Sequence, residues 1–309
     1  MDYTPTSRQA ELIARVDHAV DETGGLNRAR AFAFEQRLDT ELECALAAVI
    51  HPGELTLLER VLIAERLAWA GAATTFGLRA VVLGDTAHAD TGPAGARRGL
   101  AVVDRYRGGL ARYAADAAQL LVLNEDQASL VELAPGQVEA VPSGAGFPVG
   151  RVPAELLESG RPVEALGLRA RWALAMAAEL GGAAHAVVEL TSTHLRERVQ
   201  FGRPLAHFQA LRHRIANLAV DAEATRWIAR EAAYSGQERP MWLAASYAAA
   251  VGAALSPDAV QLWGARGFVH EFGVSNLIMR LQGLRLELGP ADRLAETVLA
   301  APGLSGRSR

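Results

Sequence analysis

One stretch of the sequence is the strongest indicator of the fold: Leu195-Arg-Glu-Arg-Val-Gln-Phe-Gly-Arg-Pro-Leu-Ala-His-Phe-Gln209. It lies between two long apolar helical patterns. Gly202 and Pro204 mark a short turn inside it. Cationic and amide donors gather where the chain reverses, which is typical of a site that holds a diphosphate. The alternative is a solvated turn between helices, whose arginines face water. The donors concerned are Arg196, Arg198, Gln200 and Arg203.

Both flanks of this stretch have helical periodicity. Apolar residues recur every four positions from Leu168 to Leu180, and at alternating steps of three and four from Leu211 to Thr225. Steps of three and four place side chains on one helix face. The second series forms a heptad seam, so the sequence predicts a helical bundle here.

A further helix is predicted after Pro240. Ser256 suits an N-cap and Pro257 suits the first helical position, so we expect the helix to be interrupted or restarted there. It should run to about Trp263.

The N-terminal part of the chain predicts helices followed by short strands. Residues 6–73 are helical in pattern, and Thr56 with Glu59 can form a capping box at the start of one helix. After Gly84 the pattern changes to short β-prone runs separated by turn residues, which predict one small sheet. These runs are residues 100–103, 120–123, 129–133 and 138–141.

The order of elements predicts a mostly α chain with a small β insert. We expect an N-terminal helical domain in residues 1–90 and a reduced β-domain in residues 91–160. A C-terminal four-helix bundle should occupy residues 161–302, and residues 303–309 should form a disordered tail.

The composition argues against several classes of protein. The 309 residues carry a formal net charge of -4 with both signs interleaved, which argues against a nucleic-acid role. The single cysteine, Cys44, excludes intramolecular disulfides. We find no secretory signal and no uninterrupted apolar stretch near the roughly 20 residues of a membrane span. We therefore expect a cytoplasmic protein without a membrane segment. The histidines lack metal-ligand spacing, so no metal is expected.

The residue order in 198–209 resembles the FAD-binding signature of the acyl-CoA dehydrogenase family, with Arg198, Gln200 and Phe201 at the matching positions. In that family the segment contacts the adenosine diphosphate half of an FAD bound to a neighbouring subunit. The order of helical domain, small β-domain and helical bundle is also similar to the family layout. The resemblance therefore implies the acyl-CoA dehydrogenase fold and an FAD shared across a subunit interface.

Residues 261–272 resemble the other FAD segment of the family. Gln261, Gly264 and Gly267 match its glutamine and two of its glycines, whereas Ala265 replaces a further glycine. Glycines at a helix end let the backbone approach a ligand, and Gln261 can bond a phosphate or ribose. Taken alone, such a helix end also suits an ordinary C-cap. The resemblance implies that these residues bind the cofactor.

The catalytic base of the family is not at its usual position. Family members remove a proton next to the thioester with a glutamate while the flavin takes a hydride. The usual glutamate position is Leu288, and the alternative family position on the first bundle helix is Trp172. The adjacent Glu287 is our candidate for the base; otherwise it is a solvated carboxylate at a helix end.

The β-domain also departs from the family, because the strand motifs that hold the isoalloxazine ring are not found between Gly84 and Gly146. The chain thus resembles the short subunit of actinobacterial α2β2 acyl-CoA dehydrogenases that act on CoA thioesters of steroids. This resemblance implies a full-length partner subunit, a CoA thioester substrate and electron-transfer flavoprotein as acceptor. Two alternatives stay open: a self-sufficient homo-oligomer that uses Glu287, and a non-catalytic structural bundle protein of the same ancestry.

Overall fold

The computed structural model describes residues 5–84, 99–106, 108–124 and 127–301, without the side chains of Arg30 and Ala33. The expected disordered tail, residues 303–309, lies outside the described residues. The chain begins with five helices, as the N-terminal pattern predicts. They are α1 (Ser7–Glu22), α2 (Gly25–Glu35), α3 (Thr40–Val49), α4 (Leu57–Trp69) and α5 (Phe76–Leu83).

Local signals explain where α4 begins. The Thr56 hydroxyl accepts a hydrogen bond from the Glu59 N–H at 3.2 Å, and the Glu59 carboxylate accepts one from the Thr56 N–H at 2.8 Å. The predicted capping box is therefore confirmed. Thr6 and Gln9 form an equivalent box at the start of α1. Each box satisfies N–H groups that the first helical turn leaves without intrahelical partners.

The strands between residues 100 and 163 form two small sheets, so the expectation of one sheet in this region was wrong. The larger sheet has the order β1-β3-β4-β7, with β1 parallel to β3 and the other pairs antiparallel. The smaller sheet has the order β2-β6-β5 and is antiparallel. The strands are β1 (Leu100–Asp104), β2 (Leu110–Arg112), β3 (Gln119–Leu123), β4 (Ala128–Glu132), β5 (Glu139–Val141), β6 (Val149–Arg151) and β7 (Arg161–Val163), with a helical turn α6 (Ala154–Leu157) between β6 and β7.

The four predicted β-prone runs correspond to β1, β3, β4 and β5. The sequence did not reveal β2, β6 and β7, because each has three residues and shows no alternation of apolar and polar side chains. β1 and β3 are buried along their whole length, which matches their continuous apolar sequences.

The C-terminal part is a helical bundle, and α7 is its central helix. α7 packs against α4, α8, α9 and α10, while α11 packs on the outside of α9. At the crossing with α4, a Cβ at Gly182 would lie 2.0 Å from the Glu65 carbonyl oxygen, so only glycine allows this approach. The bundle elements are α7 (Leu168–Glu197), β8 (Val199–Gln200), β9 (Arg203–Pro204), α8 (Gln209–Ser235), α9 (Glu238–Trp263), α10 (Val274–Leu284) and α11 (Ala291–Ala300).

α9 continues through Ser256 and Pro257, so the predicted restart was wrong. A proline inside a helix removes one N–H donor and crowds the preceding turn. Here the Gly252 carbonyl of that turn accepts hydrogen bonds from the Ser256 hydroxyl at 2.8 Å and from the Gln282 amide of α10 at 3.2 Å. These bonds lie one residue before the Ala253 carbonyl, whose usual N–H donor the proline removes, and the helix ends at Trp263 as expected.

In the part of the chain that the structure describes, two helices are long and apolar enough to cross a membrane: Leu168–Glu197 and Glu238–Phe268. The expectation that no stretch approaches this length was therefore too strict. The most apolar segment of the first helix is 83% buried inside the protein, and that of the second helix is 50% buried. The first helix is α7, the central helix of the bundle. The domain boundaries at residues 90, 160 and 302 remain predictions.

Candidate functional site

The stretch between α7 and α8 forms an exposed β-hairpin. β8 pairs with β9 in antiparallel register, with Gln200 opposite Arg203. The two loop residues, Phe201 and Gly202, both have positive φ values, +55° and +78°. A two-residue loop of this kind gives a tight hairpin, and its first position is unfavourable for phenylalanine. The Phe201 ring is 88% exposed and contacts Phe208 edge to face at 5.9 Å.

The backbone of the hairpin is held by hydrogen bonds, whereas the Arg198 side chain is not. The Arg198 N–H donates to the His194 carbonyl at 2.9 Å, and the Arg198 carbonyl accepts from the Leu205 N–H at 2.8 Å. The Arg198 guanidinium makes no hydrogen bond or ion pair with any described residue. The Gln200 amide bonds the Val199 carbonyl at 2.6 Å.

The second motif lies at the end of α9. Gln261 is exposed and makes no hydrogen bond through its side chain among the described residues. Gly264 has φ +59° and ψ -144°, a conformation that is essentially restricted to glycine, and a Cβ there would meet only open space. At Gly267, in contrast, a Cβ would lie 3.2 Å from Trp263 and 3.3 Å from Val260. Gly264 can therefore admit a ligand to the backbone, while Gly267 has a packing role.

His194 joins the two motifs. Its ring stacks on Trp263 with centroids 4.2 Å apart, and Trp263 in turn donates to the Thr191 hydroxyl at 2.9 Å. Burial lowers the pKa of His194, and the positive charges of Arg266 and Arg198 lower it further. The histidine is thus a packing residue. The two motifs meet at one end of the bundle, where Arg198 and Arg266 both act electrostatically on His194.

Glu287 lies elsewhere, in the turn between α10 and α11, where its side chain is only 11% exposed. Its Oε1 accepts hydrogen bonds from Arg112 at 2.9 Å and from the Trp172 indole at 3.0 Å. Its Oε2 is buried and has no partner among the described residues. The alternative of a solvated helix-end carboxylate was therefore wrong, because contacts from β2 and α7 cover this turn. Leu288 beside it is also buried.

A second carboxylate, Glu179 of α7, shares Arg112 with Glu287. It receives two hydrogen bonds from the guanidinium, at 2.7 and 3.2 Å. Burial alone would lower the pKa of Arg112, but Glu179 and Glu287 outweigh this effect and keep the guanidinium charged. Burial raises the pKa of Glu287, Arg112 opposes that rise, and the charge of Glu179 adds to it. We call Arg112, Trp172, Glu179 and Glu287 the Glu287 cluster.

The Glu287 cluster borders a cavity of about 810 Å3 between the sheets and the bundle. A pocket of this size can hold a cofactor or a small-molecule ligand. Sequence analysis did not identify Arg112 or Glu179, because both are ordinary charged residues far from Glu287 along the chain. The lining of this cavity includes Val102, Arg112, Phe147, Trp172, Glu287 and Arg293.

This combination of helices, two small sheets and a bundle with an exposed hairpin is the fold of acyl-CoA dehydrogenases. Residues 169–301 match the family model described as acyl-CoA dehydrogenase, C-terminal domain. Residues 169–301 are thus similar to the C-terminal domain of acyl-CoA dehydrogenases, a match that covers less than half of the chain.

Curated relatives match the chain over part of its length. The acyl-CoA dehydrogenase IpdE2 of Mycolicibacterium smegmatis is 36% identical over 124 residues, which cover 40% of this chain and 40% of the relative. A 3-sulfinopropanoyl-CoA desulfinase of Paraburkholderia xenovorans is 33% identical over 121 residues, 38% of this chain and 31% of the relative. The aligned region thus spans well under half the length of the curated relatives that it matches.

Solved structures extend the similarity of the fold to nearly the whole chain. A chain of the ChsE4–ChsE5 complex from Mycobacterium tuberculosis superposes with a TM-score of 0.74 at 21% identity, covering 97% of this chain and 98% of that one. A chain of the Tcur3481–Tcur3483 steroid acyl-CoA dehydrogenase superposes with a TM-score of 0.76 at 22% identity, covering 95% and 97%. At these identities the similarity establishes the fold.

The described residues fit the adenosine diphosphate half of FAD. A diphosphate needs cationic donors and open backbone, which the unpaired guanidinium of Arg198 and the open Gly264 supply. An adenine ring stacks on exposed aromatic side chains, and Phe201 is such a side chain. The cavity beside the Glu287 cluster has room for further parts of a ligand, but its innermost polar groups are already paired with one another, apart from Glu287 Oε2.

Proposed function

We propose that this chain is a subunit of an FAD-dependent acyl-CoA dehydrogenase and that it supplies the adenosine diphosphate clamp to a full-length partner subunit. The carrying observation is the exposed hairpin, which holds Phe201 in a strained conformation with its ring in solvent. That conformation brings the chain itself no buried contact. A ligand held across a subunit interface would use both the ring and the unpaired Arg198.

In the proposed complex, Arg198 and Gln200 bind the diphosphate, Phe201 contacts the adenosine, and Gln261 with the backbone of Gly264 borders the same moiety. The FAD would accept a hydride from the β carbon of a CoA thioester. We propose a steroid-derived acyl group, an α2β2 assembly, electron-transfer flavoprotein as acceptor and a cytoplasmic location. The steroid and heteromeric assignments draw on what is named for the related complexes.

The Glu287 cluster favours a second candidate function, a self-sufficient homo-oligomer in which Glu287 is the base. A general base for a carbon acid needs a pKa raised toward neutrality and a place in a cavity that admits substrate. Burial raises the pKa of Glu287, and the residue lines the 810 Å3 cavity. Arg112 and Trp172 would orient its Oε1, and Oε2, which is buried in this structure, would have to turn toward the cavity to take the proton.

One experiment separates these functions: the absorbance spectrum and native mass of the chain purified alone and after co-expression with a full-length acyl-CoA dehydrogenase subunit. A colourless chain that becomes yellow and heteromeric with the partner supports the clamp. A chain that is yellow alone supports the self-sufficient enzyme. A chain that stays colourless and unassociated contradicts both and leaves the structural bundle protein.

The clamp also predicts the effect of Arg198→Ala. Removing the guanidinium should weaken FAD retention by the assembled complex by roughly 1.5–3 kcal/mol, since it deletes a hydrogen bond to a charged group. The measurement is the FAD dissociation constant, by fluorescence titration of the deflavinated complex. Arg15→Ala is the control, because Arg15 is an exposed arginine of α1 paired with Glu11. Equal FAD affinity in both variants would exclude Arg198 from the clamp.

A further inference from the structure

A second cavity, of about 590 Å3, lies between the C-terminal half of α7 and α10. We call it the α7–α10 cavity. The end of α4 and the start of α2 close its sides, and it shares no lining residue with the cavity beside the Glu287 cluster. Most of its wall is apolar, and its volume suits a small molecule. The apolar wall includes Leu26, Trp69, Ala186, Leu190 and Leu277.

Arg280 is a buried charged group in the wall of this cavity. It is 3% exposed, and its Nη1 donates to the Ala72 carbonyl at 2.8 Å. Its Nε is buried without a hydrogen-bond partner, and the guanidinium pairs with no carboxylate in the described part of the chain. A buried charge without a counter-ion is costly, so Arg280 favours an anionic group beside it.

The neighbouring carboxylates are engaged elsewhere. Glu43 acts electrostatically on the same tyrosine as Arg280, but its Oε1 accepts hydrogen bonds from Thr74 and Thr75. Glu189 lines the cavity, but its side chain is half exposed and accepts a hydrogen bond from Trp69 at 2.6 Å. Neither carboxylate forms an ion pair with Arg280 among the described residues, and the buried Oε2 of Glu43 itself has no hydrogen-bond partner there.

The mouth of the cavity adds further polar groups. Arg196 is exposed and donates to the Thr193 hydroxyl at 3.0 Å, and Ser192 lies beside it in the lining. The two arginines and Glu189 leave the wall with a net positive charge. The cavity thus combines a largely apolar wall with the buried cation of Arg280. A ligand with an apolar body and one negative charge would complement this lining.

We propose that the α7–α10 cavity binds a small amphipathic carboxylate, with its apolar body against Trp69, Leu190 and Leu277 and its carboxylate accepting hydrogen bonds from Arg280. This site is separate from the clamp and from the Glu287 cluster, and it does not depend on flavin binding.

Calorimetric titration of the full chain tests the site, in the native assembly state that the flavin experiment identifies. The probe is decanoate, and decanamide is its uncharged counterpart. Decanoate should bind once per chain, and decanamide should bind about tenfold more weakly or worse, since one charge-assisted hydrogen bond is lost. No binding of decanoate, or equal binding of the two probes, would overturn the proposal.

Variants then locate the site. Arg280→Gln should weaken decanoate binding by about tenfold or more, and Arg280→Lys should restore most of it. Arg285→Gln, on the same helix but bonded to Gln282, is the control and should leave binding unchanged. Ala186→Phe should fill the cavity without removing a charge and should therefore abolish decanoate binding. This variant tests the site if Arg280→Gln does not fold. Binding that survives both Arg280→Gln and Ala186→Phe would place decanoate elsewhere and refute the site.

Discussion

The Glu287 cluster and the hairpin hold their charged side chains in opposite ways. In the cluster, Arg112 and Glu179 are 2% and 4% exposed and each is paired within the chain. In the hairpin, the Arg198 guanidinium has no partner among the described residues, and Phe201 is 88% exposed. Burying a charge without a partner costs stability, whereas an exposed charge stays solvated and accessible to another molecule. The Glu287 cluster therefore stabilises the fold in our interpretation, whereas the hairpin residues are those that we propose for ligand binding.

The largest effect should follow from Arg112→Met. The substitution keeps an apolar stem of similar length but leaves Glu179 and Glu287 buried without their common cation. The free energy of unfolding should fall by about 3–5 kcal/mol at neutral pH, measured by urea denaturation. Arg151→Met in β6 is the control, because Arg151 is exposed and lies 3.8 Å from Glu139, which is also exposed. A loss below 1 kcal/mol for Arg112→Met would show that the cluster does not stabilise the fold.

Glu287→Gln should change how the free energy of unfolding depends on pH, which tests whether the buried Glu287 carboxyl is protonated in the folded chain. Because burial raises the pKa of Glu287 above its ordinary value of 4.5, the folded chain holds a proton that the unfolded chain releases. This carboxyl therefore lowers the stability of the wild type as the pH rises above 4.5, by up to about 1.4 kcal/mol per pH unit, until the pH passes the folded pKa. The glutamine variant lacks this term, so it should gain relative to the wild type across that range.

Unfolding free energies of wild type and Glu287→Gln from pH 4.5 to 8 give the measurement. The same change at Glu139, which is exposed on β5, is the control and should leave the pH profile of the wild type unaltered. A difference between wild type and Glu287→Gln that is constant with pH would mean that Glu287 is ionised throughout, and it would weaken the case for Glu287 as a base.

The sequence predicted features that depend on neighbouring residues. The helices α7 and α8 follow from their periodicity, and the capping box of α4 follows from the spacing of Thr56 and Glu59. The hairpin motif was visible as a set of donors at a turn. Such features need no knowledge of distant contacts.

The features that the sequence missed depend on residues far apart. Glu287 is buried because Arg112 and Trp172 reach it from β2 and α7, 175 and 115 positions away. The restart at Pro257 was expected because the helix-breaking signal is local, while the Gln282 amide that supports the turn comes from α10. The role of Glu287 and the clamp residues as a catalytic and binding set remains a prediction.

Phe201→Asn should have the smallest effect on stability. It should also separate most clearly the effect of a substitution on folding from its effect on FAD binding. Asparagine tolerates a positive φ and precedes Gly202, which gives the Asn-Gly pair favoured in two-residue hairpin loops. This gain should nearly offset the lost contact with Phe208, so the free energy of unfolding should change by less than about 0.5 kcal/mol. FAD retention by the complex should nevertheless fall, because the stacking ring is gone. Leu299→Asn, at a 69% exposed position of α11, should alter neither quantity. If Phe201→Asn instead destabilises the chain by more than 1 kcal/mol with unchanged FAD affinity, then the hairpin belongs to the fold, and the contrast with the Glu287 cluster no longer holds.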